Sequence, residues 1–312
     1  MAEVQDDDDD IFVYDGTQPV PDEVRRARMH KSVKIVRARA FYRRQHLISV
    51  EFHDGIEIIE EYAFCNCPSL SGLINLMGVK IIQKYAFCGC HVTGIEFGDK
   101  LETIEQYVFS SCIGLEKIRI PTVKTVGRWA FADCDELSDV EFGEGLRTIQ
   151  EYAFNNSPKL ERIALPLKGD MIEEDVLGWC PKLSTVDLVG GIHQTVASLH
   201  MESWRSEMTG EINSINQTLP TFSGGKTESI QQWMESTLRQ LNHYKDEHKA
   251  LMKEATTLLD LALWKANIYG NNGGEGEGVR TAGEVESSRD EIRYTSGADV
   301  VIKNVLPFLA LK

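Results

Sequence analysis

"TVGRWAFADCDELSDVEF", Thr125 to Phe142, contains the features that decide the fold of this chain. A β-branched residue lies five positions before Phe131, a cysteine lies three positions after it, and the stretch ends in alternating apolar and acidic residues. The phenylalanine of this pattern recurs as Phe41, Phe64, Phe87, Phe109, Phe131 and Phe154, with Leu177 in a degenerate seventh copy. Its intervals of 22 or 23 residues indicate a repeat protein.

The end of each repeat predicts a β-strand. In "LSDVEF" the apolar Val140 and Phe142 are two positions apart, so on an extended chain they share one face, and the acidic residues take the other. A repeat of this length cannot bury its apolar face alone, so successive strands should stack in parallel, about 4.8 Å apart. The segment "TIQEYAF" should return across the far side and bury Ile149 and Phe154. We therefore expect a solenoid of about seven repeats over residues 31–190.

The cysteines follow the same register. Three residues after each phenylalanine come Cys67, Cys90, Cys112, Cys134, Ser157 and Cys180, with Arg44 in the first copy. Because serine is accepted in this column, small buried side chains are the favoured interpretation. The alternative is a cysteine-based metal or redox protein, since four stacked thiols could hold one soft ion. That site would use the two C-x-C pairs, Cys65, Cys67, Cys88 and Cys90.

The matching stretches are similar to the BspA-type leucine-rich repeat family. The residues that carry the resemblance are those of "LEKIRIPTVKTVGRWAFADCDEL", Leu115 to Leu137, and of its repeated counterparts over residues 31–190. The resemblance implies an α/β leucine-rich-repeat solenoid with stacked parallel strands that binds proteins or glycans and has no catalytic residues. With its helical C-terminal part, the whole chain resembles cytoplasmic leucine-rich repeat proteins that are abundant in diatoms.

Composition narrows the class of protein. The formal net charge of −15 argues against broad, non-specific nucleic-acid binding. The N-terminal "MAEVQDDDDDIF" has no positively charged region followed by an apolar run, so no secretory signal is predicted. Seven cysteines, an odd number, then indicate reduced thiols. We expect an intracellular protein, cytoplasmic with the nucleus as the alternative.

The outward positions of the strands form the candidate surface for a partner. They lie between the buried positions, and their charges alternate in sign between neighbouring repeats, which is also what a solvated, self-neutralising face would show. If a protein partner binds, solenoids of this kind offer their strand face. The candidate partner-binding residues are Glu51, Glu96, Lys117, Arg119, Asp139, Glu141, Arg162 and Asp187.

The N-terminal flank is strongly charged. The run Asp6 to Asp10 predicts a disordered acidic tail, and residues 1–30 are expected to hold this tail and an N-terminal cap. Residues 25–44 contain nine Lys or Arg and no acid. They fit the polar side of a capping repeat, and the alternative is a nuclear-import or nucleic-acid patch.

The C-terminal third has helical spacing. Residues 191–267 are predicted to form a helical hairpin or a coiled coil, and the heptad seam at 228–266 also allows a homodimer. The "GGKT" at 224–227 has Pro220 where a phosphate loop needs its first glycine, so no nucleotide site is expected. Residues 268–290 are predicted to be a flexible linker, and 291–312 an apolar docking segment.

No residue pattern specifies a reaction. Neither a Ser/His/Asp or Cys/His pairing nor a carboxylate couple is apparent. We therefore expect a non-enzymatic scaffold without a cofactor. Its partner is expected to be a protein that the sequence does not identify, with nucleic acid and membrane disfavoured.

Overall fold

The computed structural model describes residues 11–221 and 224–271 of the 312-residue chain, with side chains described through Lys265. These residues form two compact units. The first contains residues 11–195 and 209–238, and the second contains residues 196–208 and 239–271. Within the described residues, three helices contribute residues to both units.

Fifteen short strands build the first unit within the described part of the chain. They are β1 (Ile11–Tyr14), β2 (Arg26–Met29), β3 (Ile35–Val36), β4 (Ser49–Glu51), β5 (Ile58–Ile59), β6 (Ser71–Leu76), β7 (Ile81–Ile82), β8 (His91–Phe97), β9 (Thr103–Ile104), β10 (Lys117–Ile120), β11 (Thr125–Val126), β12 (Asp139–Phe142), β13 (Thr148–Ile149), β14 (Arg162–Pro166) and β15 (Thr185–Val189).

The described strands form three parallel sheets: β1-β2-β4 at the N-terminal end, and two six-stranded sheets to which the middle turns of the stack contribute one strand each. The longer strands form a sheet in the order β6-β8-β10-β12-β14-β15, and the two-residue strands form a sheet in the order β3-β5-β7-β9-β11-β13. Every pairing is parallel and joins neighbouring repeats, as between Lys117 and Asp139 or Thr125 and Thr148. The predicted solenoid of stacked parallel strands is confirmed. Its return segments are short strands and turns.

The phenylalanines form a continuous stack inside the solenoid. The rings from Phe41 to Phe154 are fully buried, and successive centroids lie 4.9, 5.1, 5.5, 5.3 and 5.3 Å apart. Each ring contributes about 1.5–3 kcal/mol through burial. The repeat period therefore places one phenylalanine per turn on the same axis.

A second aromatic stack lies outside the first. Its members precede the phenylalanines by two positions and have left-handed backbones, with φ from 58° to 61°. This conformation costs a non-glycine residue roughly 1–2 kcal/mol. The rings stack with centroids 4.6 to 6.2 Å apart, and stacking of this kind partly offsets the strain. The members are Tyr62, Tyr85, Tyr107, Trp129 and Tyr152.

The stack begins earlier than predicted. Strand β1 pairs with β2, and β2 pairs with β4, so the strands start at Ile11 instead of residue 31. Tyr14 and Val20 are buried, and the Tyr14 ring meets Phe41 edge-on at 5.2 Å. The sequence concealed these strands because this first segment lacks the phenylalanine and cysteine of the repeat. The acidic run at 6–10 lies outside the described residues.

In the part of the chain that the structure describes, three helices follow the strands: α1 (Ile192–Ala197), α2 (Glu202–Thr218) and α3 (Lys226–Asn271). In the first unit, Ile215, Ile230 and Met234 belong to the same hydrophobic cluster as the solenoid core. This packing explains why the apolar period changes after Val189, because one end of a stack of repeats must be covered.

The second unit contains an antiparallel contact. Trp204 stacks on Tyr244 with centroids 5.2 Å apart, and His200 meets His248 at 5.9 Å. The Tyr244 hydroxyl donates to Glu207, and this carboxylate raises the pKa of Tyr244. Helix α3 continues to Asn271, four residues past the expected helical end at 267. The rest of the predicted linker at 268–290 and the docking segment at 291–312 lie outside the described residues. Within the described range, no helix has the length and apolar character needed to cross a membrane.

Candidate functional site

The strand face consists of the outward side chains of the sheet of longer strands, from β6 to β15, together with those of β4 in the three-stranded sheet β1-β2-β4. Alternation along each strand turns one set of side chains into the core and the other set outward. In β10, Ile118 and Ile120 are buried, whereas Lys117 and Arg119 are exposed. Parallel pairing then aligns the outward residues of neighbouring repeats into columns.

One group of predicted residues forms an ion cluster. The Arg162 guanidinium on β14 lies 2.8 Å from Asp139 and 3.5 Å from Glu141 through Nη1, and 2.6 Å from Asp187 through Nε. The hydrogen bonds to Asp139 and Asp187 raise the pKa of Arg162, so the side chain stays charged. Four of the eight candidate residues therefore form one ion cluster, in which a single guanidinium contacts three carboxylates.

Glu51 is also paired. Its Oε2 lies 2.5 Å from Nε of Arg28 on the neighbouring strand β2. The repeat pattern does not predict this partner, because β2 falls within the segment expected to hold the tail and cap. At the N-terminal part of the strand face, Glu51 is therefore already held in an ion pair within the chain.

The remaining three candidates are exposed. Glu96, Lys117 and Arg119 lie on β8 and β10, and no ion pair within 4.0 Å joins them to another residue of the described chain. Arg119 lies beside Glu141 in register, but Glu141 contacts Arg162 instead. The expected alternation of charge between neighbouring repeats is therefore not seen at these positions. Arg162 instead gathers three carboxylates around itself, and Lys117 and Arg119 stay exposed.

A β-bulge between β6 and β8 changes which residues of one repeat face outward. Gly72 pairs with Val92 and Leu73 pairs with Gly94, so Thr93 of β8 is the extra residue. On the opposite strand, Gly72 has a φ of +84°, a conformation that glycine adopts without steric strain. Asn75 pairs with Glu96, and Ile74 is buried, although the repeat period aligns it with the outward Glu51.

The bulge turns Leu73 outward, where 61% of it is exposed. It pairs with Gly94, and a Cβ at that glycine would lie 3.1 Å from the Leu73 side chain. Gly94 in turn pairs with Lys117. We name Leu73, Gly94, Glu96, Lys117 and Arg119 the central patch. The signal for Leu73 was present in "GLINL", whose adjacent Leu73 and Ile74 allow two registers.

The cysteine column has a specific hydrogen-bonding role. Each thiol donates to the carbonyl oxygen of the phenylalanine in the preceding repeat. The distances are 3.0 Å from Cys67 to Phe41, 3.1 Å from Cys90 to Phe64, 3.3 Å from Cys112 to Phe87, 3.4 Å from Cys134 to Phe109, and 3.2 Å from Cys180 to Phe154. Ser157 makes the same contact with Phe131 at 3.4 Å. A small donor is what this position requires.

The metal and redox alternative is not supported. Metal ligands and nucleophiles are thiolates, and the four candidate thiols do not all favour that form. Burial raises the pKa of Cys90 and the hydrogen bond with Cys65 raises the pKa of Cys88, whereas hydrogen bonds with Cys88 and Cys90 lower the pKa values of Cys65 and Cys67. Cys67 and Cys90 donate to carbonyl groups, and Cys65 and Cys88 hydrogen-bond one another. In the described ranges, no three His, Cys, Asp or Glu side chains are grouped to hold a metal ion.

Much of the basic stretch at 25–44 is part of the stack. Arg44 takes the place of the thiol in the first copy and donates from Nη2 to the Val20 carbonyl oxygen at 2.7 Å, and its Nη1 lies 2.9 Å from Asp22. Val33 and Val36 are buried in the core. These contacts are those of a terminal repeat.

The "GGKT" segment caps the other end of the stack. The repeat pattern does not predict this capping role. Lys226 is 1% exposed, and its Nζ donates to the Pro181 and Leu183 carbonyl oxygens at 2.9 and 2.6 Å. The Thr227 hydroxyl accepts the Leu177 N–H at 3.0 Å. Gln231 donates to Ile172 at 2.6 Å, and Asn216 accepts from Val186 at 2.8 Å. These side chains satisfy groups that a further repeat would have paired.

Comparison with known families agrees with this architecture. The model of the BspA type leucine-rich repeat region matches residues 23–77 and 80–203 in six copies. No curated protein matches the chain in sequence.

Several solved repeat proteins are similar to the chain. The T. pallidum leucine-rich repeat protein TpLRR is 18% identical, with a TM-score of 0.39, over 60% of this chain and 82% of that one. A leucine-rich repeat protein from Bacteroides ovatus is 19% identical, with a TM-score of 0.37, over 53% of this chain and 61% of that one. The pneumococcal vaccine antigen PcpA is 18% identical, with a TM-score of 0.36, over 55% of this chain and 52% of that one. At these identities and TM-scores, the structures carry no argument about partners.

Proposed function

The chain belongs to the BspA-type leucine-rich repeat family, and on that premise we propose that it is a non-enzymatic scaffold that binds a protein on its strand face. Repeats of this family are generally non-enzymatic, and leucine-rich repeat solenoids commonly serve protein interaction or surface binding. The stacked repeats offer one continuous surface built from the outward residues of consecutive strands.

The central patch is the observation that carries the proposal. It places an exposed leucine next to a glycine and two cations that lack an ion pair within the described chain. Protein interfaces combine an apolar centre with a polar rim, and the central patch contains both kinds of group. Leu73 would be the apolar anchor, and Lys117 and Arg119 would orient the partner by charge.

The other charged candidates around the central patch are expected to contribute less to partner binding. Asp139, Glu141, Arg162 and Asp187 already satisfy one another, so a partner that bound them would first have to break those contacts. Glu51 is held by Arg28 in the same way. We therefore narrow the eight candidate residues to Glu96, Lys117 and Arg119, and add Leu73.

The test is quantitative affinity capture with matched variants as bait. Leu73→Asp and the double variant Lys117→Glu/Arg119→Glu should lose the partner that the unaltered chain retains. Ile81→Asp is the control, because Ile81 is also an exposed strand residue but lies on β7 in the other sheet. The captured protein should then bind the purified unaltered chain in calorimetry. Equal retention by Leu73→Asp and Ile81→Asp would remove the strand face from consideration.

We also propose an intracellular location, in the cytoplasm or the nucleus. Support comes from the cysteines, because all seven are free thiols, and exported proteins commonly oxidise theirs. Microscopy of the tagged chain with fractionation tests this location. Recovery of the chain from the cell surface would contradict it.

A further inference from the structure

The distal part of α3, residues 258–265, is apolar around much of its circumference. Its sequence is "LLDLALWK". Leu261 is 55% exposed, Leu263 is 56% exposed and Trp264 is 64% exposed, whereas Leu258, Leu259 and Ala262 are half-buried. Leu261 and Trp264 are three positions apart and share one side of the helix, while Leu263 lies on another. A helix that is apolar around its circumference is normally buried.

Within the second unit, the preceding chain covers α3 only in part. Trp204 lies against Tyr244, and His200 lies against His248. Ala255 is buried, and beyond it no side chain of α3 through Lys265 is. From Leu251 to Asn271, α3 extends for about 31 Å, and the exposed apolar residues lie within this length.

We propose that the segment Val300–Leu311 of the same chain docks on this distal part of α3. The segment reads "VVIKNVLPFLAL" and is as apolar as the surface it would cover. Burial of these apolar side chains is the main favourable contribution to docking. The two apolar stretches thus remove each other from water.

The intervening sequence has the required reach. Residues 272–299 separate the end of α3 from the segment and include the Gly- and Glu-rich stretch "GGEGEGVRTAG". For a flexible chain of this length and composition, the root-mean-square end-to-end distance is about 26–32 Å. This matches the length of α3 that has to be retraced, so the tether would be neither stretched nor excessively long.

The tether also favours the chain's own segment over a second copy. A flexible linker that spans its sites holds its ligand at an effective concentration of the order of millimolar. A second chain at micromolar concentration would offer its α3 seam or its own segment roughly a thousandfold more dilutely. The occupant is therefore intramolecular, and a homodimer through residues 228–266 is the competing outcome.

The test measures acrylamide quenching of Trp264 in the full chain. The Trp264 signal is the difference between the unaltered protein and Trp264→Phe. Trp179 on the solenoid, 67% exposed, is measured in the same way through Trp179→Phe as the reference for an open tryptophan. A Leu306→Asp/Phe308→Asp variant disrupts the docking segment, and Lys303→Asp is the control for an added charge. Molar mass is determined by light scattering at each protein concentration.

We expect Trp264 to be quenched several-fold less than Trp179 in the monomeric chain, and as strongly as Trp179 in Leu306→Asp/Phe308→Asp. Lys303→Asp should remain protected. Equal quenching of the two tryptophans in the unaltered chain would overturn the proposal. Protection that survives the double substitution would assign the cover to another element. Protection that appears only together with a doubled mass would assign it to a second copy.

Discussion

At the residue scale, the cysteines show how chemistry at one position follows from the stacking of turns. The column position faces the carbonyl oxygen of a buried phenylalanine, where water cannot reach. Cysteine and serine each supply a donor of the right length, and Arg44 supplies one where the stack begins. Leaving a buried carbonyl unpaired costs roughly 1–3 kcal/mol. The repetition of cysteine therefore has a structural cause.

This role predicts different effects for two substitutions of Cys112. Cys112→Ser should keep the hydrogen bond to the Phe87 oxygen, whereas Cys112→Ala should lose it and leave a small cavity. We expect Cys112→Ala to lower the free energy of unfolding by about 1 kcal/mol more than Cys112→Ser does. Urea unfolding followed by circular dichroism measures the difference. If the alanine variant equals or exceeds the serine variant in stability, the hydrogen bond contributes nothing.

At the element scale, the strands and helices complete each other through polar side chains. A parallel sheet leaves N–H and C=O groups unpaired at both ends of the stack. At the C-terminal end, Lys226 and Gln231 on α3 and Asn216 on α2 reach these groups. At the bulge, Thr93 of β8 has no partner on β6, and Leu73 of β6 faces outward opposite Gly94. The same sheet thus provides both a closed end and an exposed patch.

Replacement of Lys226 tests the cap. Lys226→Met keeps the length of the side chain but leaves the Pro181 and Leu183 carbonyl groups without its ammonium, so stability should fall by about 1–3 kcal/mol. Lys182→Met is the control, because Lys182 is exposed. Thermal and urea unfolding of both variants measure the effect. Equal stability of the two variants would show that α3 covers the stack through apolar contacts alone.

The pH dependence of this cap has a defined sign. Burial lowers the pKa of Lys226 from its ordinary value of 10.5. Between the lowered pKa and 10.5, the unfolded chain binds more protons than the folded chain, so stability contributed by this group rises with pH. The stability of the unaltered chain relative to Lys226→Met should therefore increase as the pH approaches 10.5, and a decrease would contradict the assignment.

At the scale of the whole molecule, stability is distributed unevenly. The solenoid buries an unbroken core from Tyr14 to Val186, to which Ile215 and Met234 contribute at its end. The second unit contains a smaller set of buried apolar side chains, which includes Leu199, Trp204 and Tyr244. Regions with few buried apolar contacts open at lower free energy than the global transition.

Hydrogen exchange should resolve this difference. Backbone amides of β8, β10 and β12, at the centre of the stack, should exchange slowest. Amides of α3 after Ala255 should exchange faster by orders of magnitude, because local opening there breaks far fewer buried contacts than opening of the strands does. Mass spectrometry of peptides from a time course measures both. Uniform exchange rates across strands and α3 would instead indicate a single cooperative opening of the entire described chain.

Most of the solenoid could be predicted from the sequence alone. The repeat positions occupied by Phe87 and Val140 face the core, so they must be apolar in every copy. This requirement appears in the sequence as a period. Tolerance of serine at position 157 correctly indicated that the cysteines are packed side chains. The two ends of the stack were harder to predict from the sequence, because β1 and α3 cover them with residues that do not follow the repeat pattern.

What the tertiary structure decided depends on contacts between residues far apart in the chain. Leu73 and Ile74 are both apolar, and only pairing with β8 selects which one faces the core. Arg162 could have paired with any neighbouring carboxylate, and its geometry in the folded stack selects Asp139, Glu141 and Asp187, which leaves Lys117 and Arg119 exposed. Burial of apolar groups imprints a period on the sequence, whereas strand register and ion pairing are settled only when the strands meet.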